Sequence, residues 1–127
     1  MDTWDADFHA RAPLFAPLAL LAQSLRGATW PSRERLQSML DERGVMSGGG
    51  LPVRLVPQPA RVENFDERYE VRLYRQGELP IRDANWHDFF NLLVWLAFPR
   101  AKAALNARHY EAARSQAASG EIGRAHV

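Results

Sequence analysis

The sequence predicts a mostly helical α+β fold, in which about four helices pack on a small antiparallel sheet. Two observations lead to this prediction. Four segments have the start signals and the apolar spacing of helices, whereas two short segments near prolines or glycines are rich in β-branched and aromatic residues. Because two strands alone are marginally stable in water, the sheet is expected to lie against the helices and to share their core.

Two short helices are predicted in the first third of the chain. The first covers residues 13–26, and its apolar stripe is expected to face the core; the stripe consists of Leu14, Leu18, Leu21 and Leu25. The second covers residues 32–43, between the Pro-Ser pair that opens it and the glycine that stops it. The polar segment ahead of both helices, which contains His9, is expected to fray.

Two strands are predicted in the middle of the chain. Residues 53–56 are bounded by prolines, and residues 68–75 alternate with period two. The alternation places one apolar face toward the core, formed by Tyr69, Val71 and Leu73. Residues 47–50, Ser-Gly-Gly-Gly, are predicted to be a flexible connector rather than a phosphate-binding loop. A phosphate-binding loop needs Lys and then Ser or Thr at the start of a helix, and Leu-Pro-Val follows here.

Residues 85–98 are predicted to form the central helix of the domain. Asn85 can cap its start, Asp88 favours the positive end of its dipole, and Pro99 ends it. Its apolar residues lie on nearly every side, which is typical of a helix that other elements cover all round. His87 is therefore expected to be buried and hydrogen-bonded.

A last helix is predicted from Pro99 to about residue 117, since this segment has high helix propensity and begins with proline in its favoured position. Residues 1–120 are expected to form one domain, the N-terminal part of a longer protein. The tail, residues 121–127, resembles the translation of a common sequencing adapter, so it is expected to be non-native and to belong to neither fold nor site.

Composition and charge exclude several classes of function. The formal net charge is +1 and no basic stripe is present, which argues against a nucleic-acid partner. The apolar runs are too short to cross a membrane, and the N-terminus is acidic where a signal peptide would be basic. The absence of cysteine excludes disulfides, thiolate zinc sites and cysteine nucleophiles. A cytoplasmic protein is predicted, and the excess of Arg over a single Lys is typical of a GC-rich bacterial genome.

Three runs of the chain carry a resemblance to a known family. They are Asn-Trp-His-Asp-Phe-Phe-Asn at 85–91, Val-Trp-Leu-Ala-Phe-Pro-Arg at 94–100 and Lys-Ala-Ala-Leu-Asn-Ala-Arg-His at 102–109. With a less dense similarity at 51–58 and 69–74, the chain resembles the bacterial family named domain of unknown function 3025. The resemblance implies no activity, substrate, cofactor or catalytic residue, and it implies that family members continue further toward the C-terminus.

Polar side chains recur at helical spacing on the two last predicted helices, and six of them form the candidate site: His87, Asp88, Asn91, Lys102, Asn106 and His109. Imidazole titrates near neutral pH and a carboxylate can orient it, so His87, Asp88 and His109 are the candidate catalytic residues. Asn91, Lys102 and Asn106 are the candidate ligand-binding residues, since amides and an ammonium can hold a polar or anionic substrate.

Three interpretations of these residues remain open. The first is a polar ligand-binding or hydrolytic pocket for a small molecule. The second is a divalent metal site, although the spacings match no recognised ligand motif. The third is a non-catalytic structural or protein-interaction module that docks on the rest of its own chain or on another protein. In that case the polar residues are helix caps, a buried pair and solvated side chains. The sequence does not indicate a reaction or a cofactor.

Overall fold

A computed structural model of the protein describes residues 1–11, 17–61 and 64–125. Within these ranges the elements are α1 (Ala19–Ser24), α2 (Arg33–Glu42), β1 (Arg54–Pro57), α3 (Tyr69–Gln76), β2 (Glu78–Ile81), α4 (Trp86–Ala97) and α5 (Pro99–Ala125). Five α-helices and two strands in this part of the chain confirm a mostly helical α+β fold with a small sheet. Of the helices described, none is both long and apolar enough to span a bilayer.

The two strands form a parallel sheet, with Arg54 opposite Glu78 and Pro57 opposite Ile81. The predicted antiparallel sheet, which paired residues 53–56 with residues 68–75, is therefore wrong in its second strand and in its direction. Parallel strands need a crossover of about a dozen residues or more, usually a helix. The segment predicted as the second strand supplies that crossover as α3.

Helix α3 has an alternating pattern because it is covered on two sides. It packs against β2 and also against α5. Val71 and Leu73 lie on nearly opposite sides of a helix, yet both are buried. Tyr69, which was predicted to point inward with them, is 38% exposed. Gly77 ends the helix in the left-handed conformation, with φ 74°, and its N–H donates to the carbonyl of Leu73.

Helix α4 is the central helix of the core, as predicted. It begins after Asn85, whose side-chain oxygen accepts a hydrogen bond from the Asp88 amide at 3.0 Å. Five of its side chains are almost fully buried: Phe89, Leu92, Leu93, Trp95 and Leu96. The predicted stripe of the first helix joins the same core through Leu18, Leu21 and Leu25, whereas Leu14 lies outside the described residues.

The N-terminal residues 1–8 form an arm that packs on the start of α4. Trp4 stacks on Trp86, with ring centroids 5.5 Å apart and 13° between the rings, and Phe8 is only 4% exposed. The Asp2 carboxylate accepts a hydrogen bond from the Trp86 amide at 2.7 Å, which adds a second cap to the helix. The expectation of a frayed segment around His9 is wrong, because the aromatic rings anchor the polar residues between them.

Residues 47–50, called the glycine turn below, connect α2 to β1 and are held by packing rather than flexible. The Ser47 hydroxyl donates to the Tyr74 carbonyl at 3.3 Å, and the Gly48 amide donates to Asn106 at 2.9 Å. A Cβ on Gly48 would lie 2.7 Å from the Ala103 carbonyl oxygen of α5. Only glycine therefore allows the turn to approach α5 this closely.

The side chain of Gln37 on α2 covers the outer edge of β1. Its Nε2 donates to the Val53 carbonyl at 3.1 Å, and its Oε1 accepts from the Leu55 amide at 2.7 Å. The side-chain amide thus occupies the position that a peptide group of a neighbouring strand would take. These two hydrogen bonds fix α2 against the sheet.

Candidate functional site

The six candidate residues line two adjoining cavities between α3, α4 and α5. The first cavity has a volume of about 280 Å³, and the predicted residues that line it are His87, Asp88, Asn91 and Lys102. The second has a volume of about 40 Å³, and the predicted residues that line it are Lys102, Asn106 and His109. Tyr69, Glu70 and Lys102 contribute to both cavities, so the two are neighbours.

A larger cavity, of about 730 Å³, lies between α2 and β1. Several of its polar side chains already have partners: Gln37 binds β1, Arg33 pairs with Asp83 and Arg54 pairs with Glu78. A binding site needs polar groups that are free to meet a ligand. The smaller first cavity, which Lys102 lines without a carboxylate partner, therefore has the more suitable chemistry.

A chain of hydrogen bonds joins three helices at the boundary between the two cavities. Lys102 Nζ on α5 donates to Asn91 Oδ1 on α4 at 2.8 Å. Asn91 Nδ2 donates in turn to the hydroxyl oxygen of Tyr69 on α3, also at 2.8 Å. Because an ammonium only donates, the order of donors and acceptors along the chain is fixed. The Tyr69 O–H is left to donate to another group.

Lys102 is half-buried, and its Nζ lies 5.6 Å from the centre of the Trp95 ring. Among the described residues, no carboxylate lies within ion-pair distance of this ammonium. Burial lowers the pKa of Lys102, and the charge of Glu70 opposes this effect only in part. The ammonium is therefore a partly desolvated cation that lies over an indole ring and borders a cavity.

Burial also controls the protonation of Tyr69. It raises the pKa of Tyr69 to about 12, although the hydrogen bond from Asn91 acts in the opposite direction. The phenol is therefore neutral at physiological pH and keeps its proton as a hydrogen-bond donor. Together, Tyr69 and Lys102 present donors from two different helices to the same cavity.

Asp88 and His87 form the rim of the first cavity. Arg82 donates to Asp88 through Nε at 2.9 Å and Nη2 at 3.1 Å, and its backbone amide donates as well. Burial favours the neutral form of Asp88, but these hydrogen bonds and a smaller one from His87 outweigh it, so the pKa of Asp88 is lowered. His87 Nδ1 lies 3.2 Å from Asp88 Oδ1.

His87 is exposed, so the prediction that it is buried is wrong. Its side chain is 86% accessible to solvent. The prediction assumed that other elements cover the helix all round. Lys102 covers Trp95, but Phe98 is 49% exposed, and the first turn of α4 is open at His87.

Asn106 is 2% exposed and has a different environment from Asn91. Its Oδ1 accepts from the Gly48 amide at 2.9 Å, and its Nδ2 donates to the Glu70 carbonyl at 3.1 Å and to Glu70 Oε2 at 2.7 Å. Both ends of the amide are thus engaged by the protein. The residue connects the glycine turn to α3 and orients the Glu70 carboxylate, whose other oxygen lies 3.3 Å from His109 Nδ1.

The two candidate histidines line different cavities. His87 borders the first and His109 borders the second, with its side chain 58% exposed. Within the part of the chain that the structure describes, no group of three or more His, Asp or Glu residues is arranged to hold a metal ion. The arrangement suits hydrogen bonding and charge interactions with a polar ligand better than coordination of a metal.

The sequence reasoning missed three residues of the site: Tyr69, Glu70 and Arg82. The first two were placed on a predicted strand, which hid their position on a helix opposite Asn91 and Asn106. A helical interpretation of residues 69–76 would have placed Tyr69 and Leu73 on one side, with Glu70 beside them. Arg82 follows β2, and no local pattern indicates that its side chain returns to Asp88.

Comparison with known proteins gives a family and no function. No curated protein and no solved structure matches the chain. The sequence profile of the family described as Protein of unknown function (DUF3025) matches residues 53–127, which include β1, both cavities and all six candidate residues. This match confirms the resemblance of the runs around α4 and α5, and the chain belongs to the DUF3025 family of proteins of unknown function.

Proposed function

We propose that the chain is a ligand-binding domain that takes a small polar molecule in the first cavity, with an oxygen of the ligand against Lys102 and Tyr69. The observation that carries this proposal is the chain of hydrogen bonds from Lys102 through Asn91 to Tyr69. It fixes two donors from separate helices at the edge of one cavity. Preorganised donors of this kind bind an acceptor without first having to be ordered.

The unused donors indicate the chemistry of the ligand. An ammonium has three N–H groups, and Asn91 takes one of those on Lys102. The hydroxyl of Tyr69 adds another donor, because its oxygen already accepts from Asn91. Carboxylate and carbonyl oxygens are the matching acceptors. A volume of about 280 Å³ is near the lower end of known ligand sites, roughly 300–1,000 Å³, which favours a small molecule.

Thermal-shift measurements with a panel of small carboxylic acids, hydroxy acids and oxo acids test the proposal. A ligand that binds only the folded state stabilises it by about 2.7 kcal/mol at a hundred times its Kd. Lys102→Met and Tyr69→Phe are expected to abolish this shift. Arg108→Met is the matched control, since it removes one positive charge from an exposed position of α5. Shifts of equal size in the wild type, Lys102→Met and Tyr69→Phe would contradict the proposal.

Hydrolysis is the second candidate function, favoured by the contact between His87 and Asp88 on the rim of the same cavity. A carboxylate that accepts from Nδ1 leaves Nε2 of the imidazole to act as a general base toward water. His87→Ala would then abolish turnover of a small ester while leaving the thermal shift by acids intact. Equal ester turnover by the variant and the wild type would remove this candidate.

A further inference from the structure

We propose that Lys102 is a nucleophile that forms an imine with a carbonyl group of the ligand, which is therefore an aldehyde or an oxo acid. The inference rests on the proposed function, because it assigns a covalent chemistry to the same cavity. It differs from simple charge pairing in that the ε-amine itself bonds to the ligand. Three observations support it: the residue type, the surroundings of Nζ and the position of the neighbouring donors.

The residue type at position 102 is the first observation. Lys102 is the only lysine of the chain, and the other fifteen of its sixteen basic residues are arginine. An arginine would supply the same positive charge with more hydrogen-bond donors. A guanidinium does not lose its proton in proteins, however, and it cannot attack a carbonyl carbon. The only side chain of this sequence whose cation can become a neutral amine is thus among the residues that border both cavities.

The surroundings of Nζ are the second observation. The ammonium lies over the Trp95 ring, is half-buried and donates to the neutral amide of Asn91 rather than to a carboxylate. Glu70 is the carboxylate that acts on it from α3, at more than ion-pair distance. Partial desolvation without a paired carboxylate makes it easier to lose the proton and generate the attacking amine.

The neighbouring donors and acceptors suit each step of imine formation. The amine nitrogen attacks the carbonyl carbon, the C=O π bond breaks, and a proton moves from nitrogen to oxygen to give a carbinolamine. The hydroxyl then takes a proton from solution and leaves as water while the nitrogen lone pair forms the C=N bond. The protonated imine keeps one N–H, for which Asn91 Oδ1 is already placed as acceptor. The Tyr69 hydroxyl can donate to the carbonyl oxygen as it is attacked.

The test is reductive trapping of the imine on the folded full chain. The protein is incubated with pyruvate or acetaldehyde and sodium cyanoborohydride, and adducts are located by intact mass and peptide mapping. The chain has two kinds of amine, Lys102 and the α-amine of Met1, so the N-terminus serves as an internal control. We expect Lys102 to be labelled several-fold faster in the folded protein than in urea, with saturation at high pyruvate concentration. Lys102→Arg is expected to lose the lysine adduct and to keep the Met1 adduct.

Lactate is the matched control ligand, because it replaces the carbonyl of pyruvate by a hydroxyl and cannot form an imine. Labelling of Lys102 that is no faster in the folded protein than in urea overturns the inference. A thermal shift with members of the acid panel and no lysine adduct also overturns it, while leaving the proposed binding function in place. If no member of the panel binds and no adduct forms, both proposals fail. The comparison with urea uses only the wild-type chain, so it does not depend on whether a variant folds.

Discussion

Replacement of Gly48 by alanine tests how the glycine turn supports the site. The added Cβ would lie 2.7 Å from both the Ala103 carbonyl oxygen and the Ala107 nitrogen, and both are backbone atoms of α5. Helix backbone cannot move locally, so the turn has to shift away. Overpacking of this kind costs about 1–3 kcal/mol. The shift also breaks the hydrogen bond from Gly48 to the buried Asn106, which adds about 1–3 kcal/mol for an unpaired group.

We therefore expect Gly48→Ala to lose about 2–6 kcal/mol of unfolding free energy, since the two costs act together. Urea denaturation followed by circular dichroism measures the loss. Gly27→Ala is the matched control, because a Cβ there meets no atom within 4 Å and no left-handed backbone is required. Its stability should stay within about 1 kcal/mol of the wild type. Equal stabilities for Gly48→Ala and Gly27→Ala would refute the close packing of the turn on α5.

Three further predictions concern other parts of the chain. Asp2→Ala should lower the unfolding free energy by about 0.5–2 kcal/mol, because it removes a cap from the Trp86 amide; an unchanged urea midpoint would show that the arm is not docked. Asp88→Asn should destabilise the protein at neutral pH. The pKa of Asp88 is lowered because the folded protein stabilises the carboxylate form, and asparagine carries no charge. Melting curves should show this difference disappearing as the pH falls from the ordinary aspartate range through the lowered pKa; a difference that persists in acid would contradict the pairing with Arg82. Deletion of residues 121–127 should leave the melting temperature unchanged, because the tail is expected to be non-native and the described buried side chains of α5, Asn106 and Tyr110, lie before residue 121; a loss above about 1 kcal/mol would contradict this.

Helices with strong end signals were predictable from the sequence. Ser32 accepts from the amide three residues on and opens α2, Asn85 does the same for α4, and Pro99 starts α5. Such signals are local, so they do not depend on what the helix packs against. Residues 69–76 lack such a start signal, since no side chain caps the first turn of α3. Their eight residues fit both a strand and a helix, and packing on both β2 and α5 decided between the two.

Helical spacing in the sequence predicted only part of the candidate site. Asn91 and Lys102 were singled out from polar positions on two consecutive helices, and the structure joins them by a hydrogen bond. Their third partner, Tyr69, comes from an element whose type was wrong, so its position was hidden. The exposure of His87 depends on which elements pack over the first turn of α4, which is a tertiary property that no local pattern contains.

The side-chain amide of Gln37 protects one strand edge from pairing with another chain. An exposed strand edge offers unpaired N–H and C=O groups to other chains and is a common start of aggregation. Along the outer edge of β1, Gln37 occupies the Val53 carbonyl and the Leu55 amide, so an incoming strand has to displace it first. A single side chain on α2 thus blocks edge-to-edge pairing at β1. Gln37→Leu would keep the secondary structure of the monomer, but its unpaired β1 edge would allow β-rich oligomers to form at high concentration.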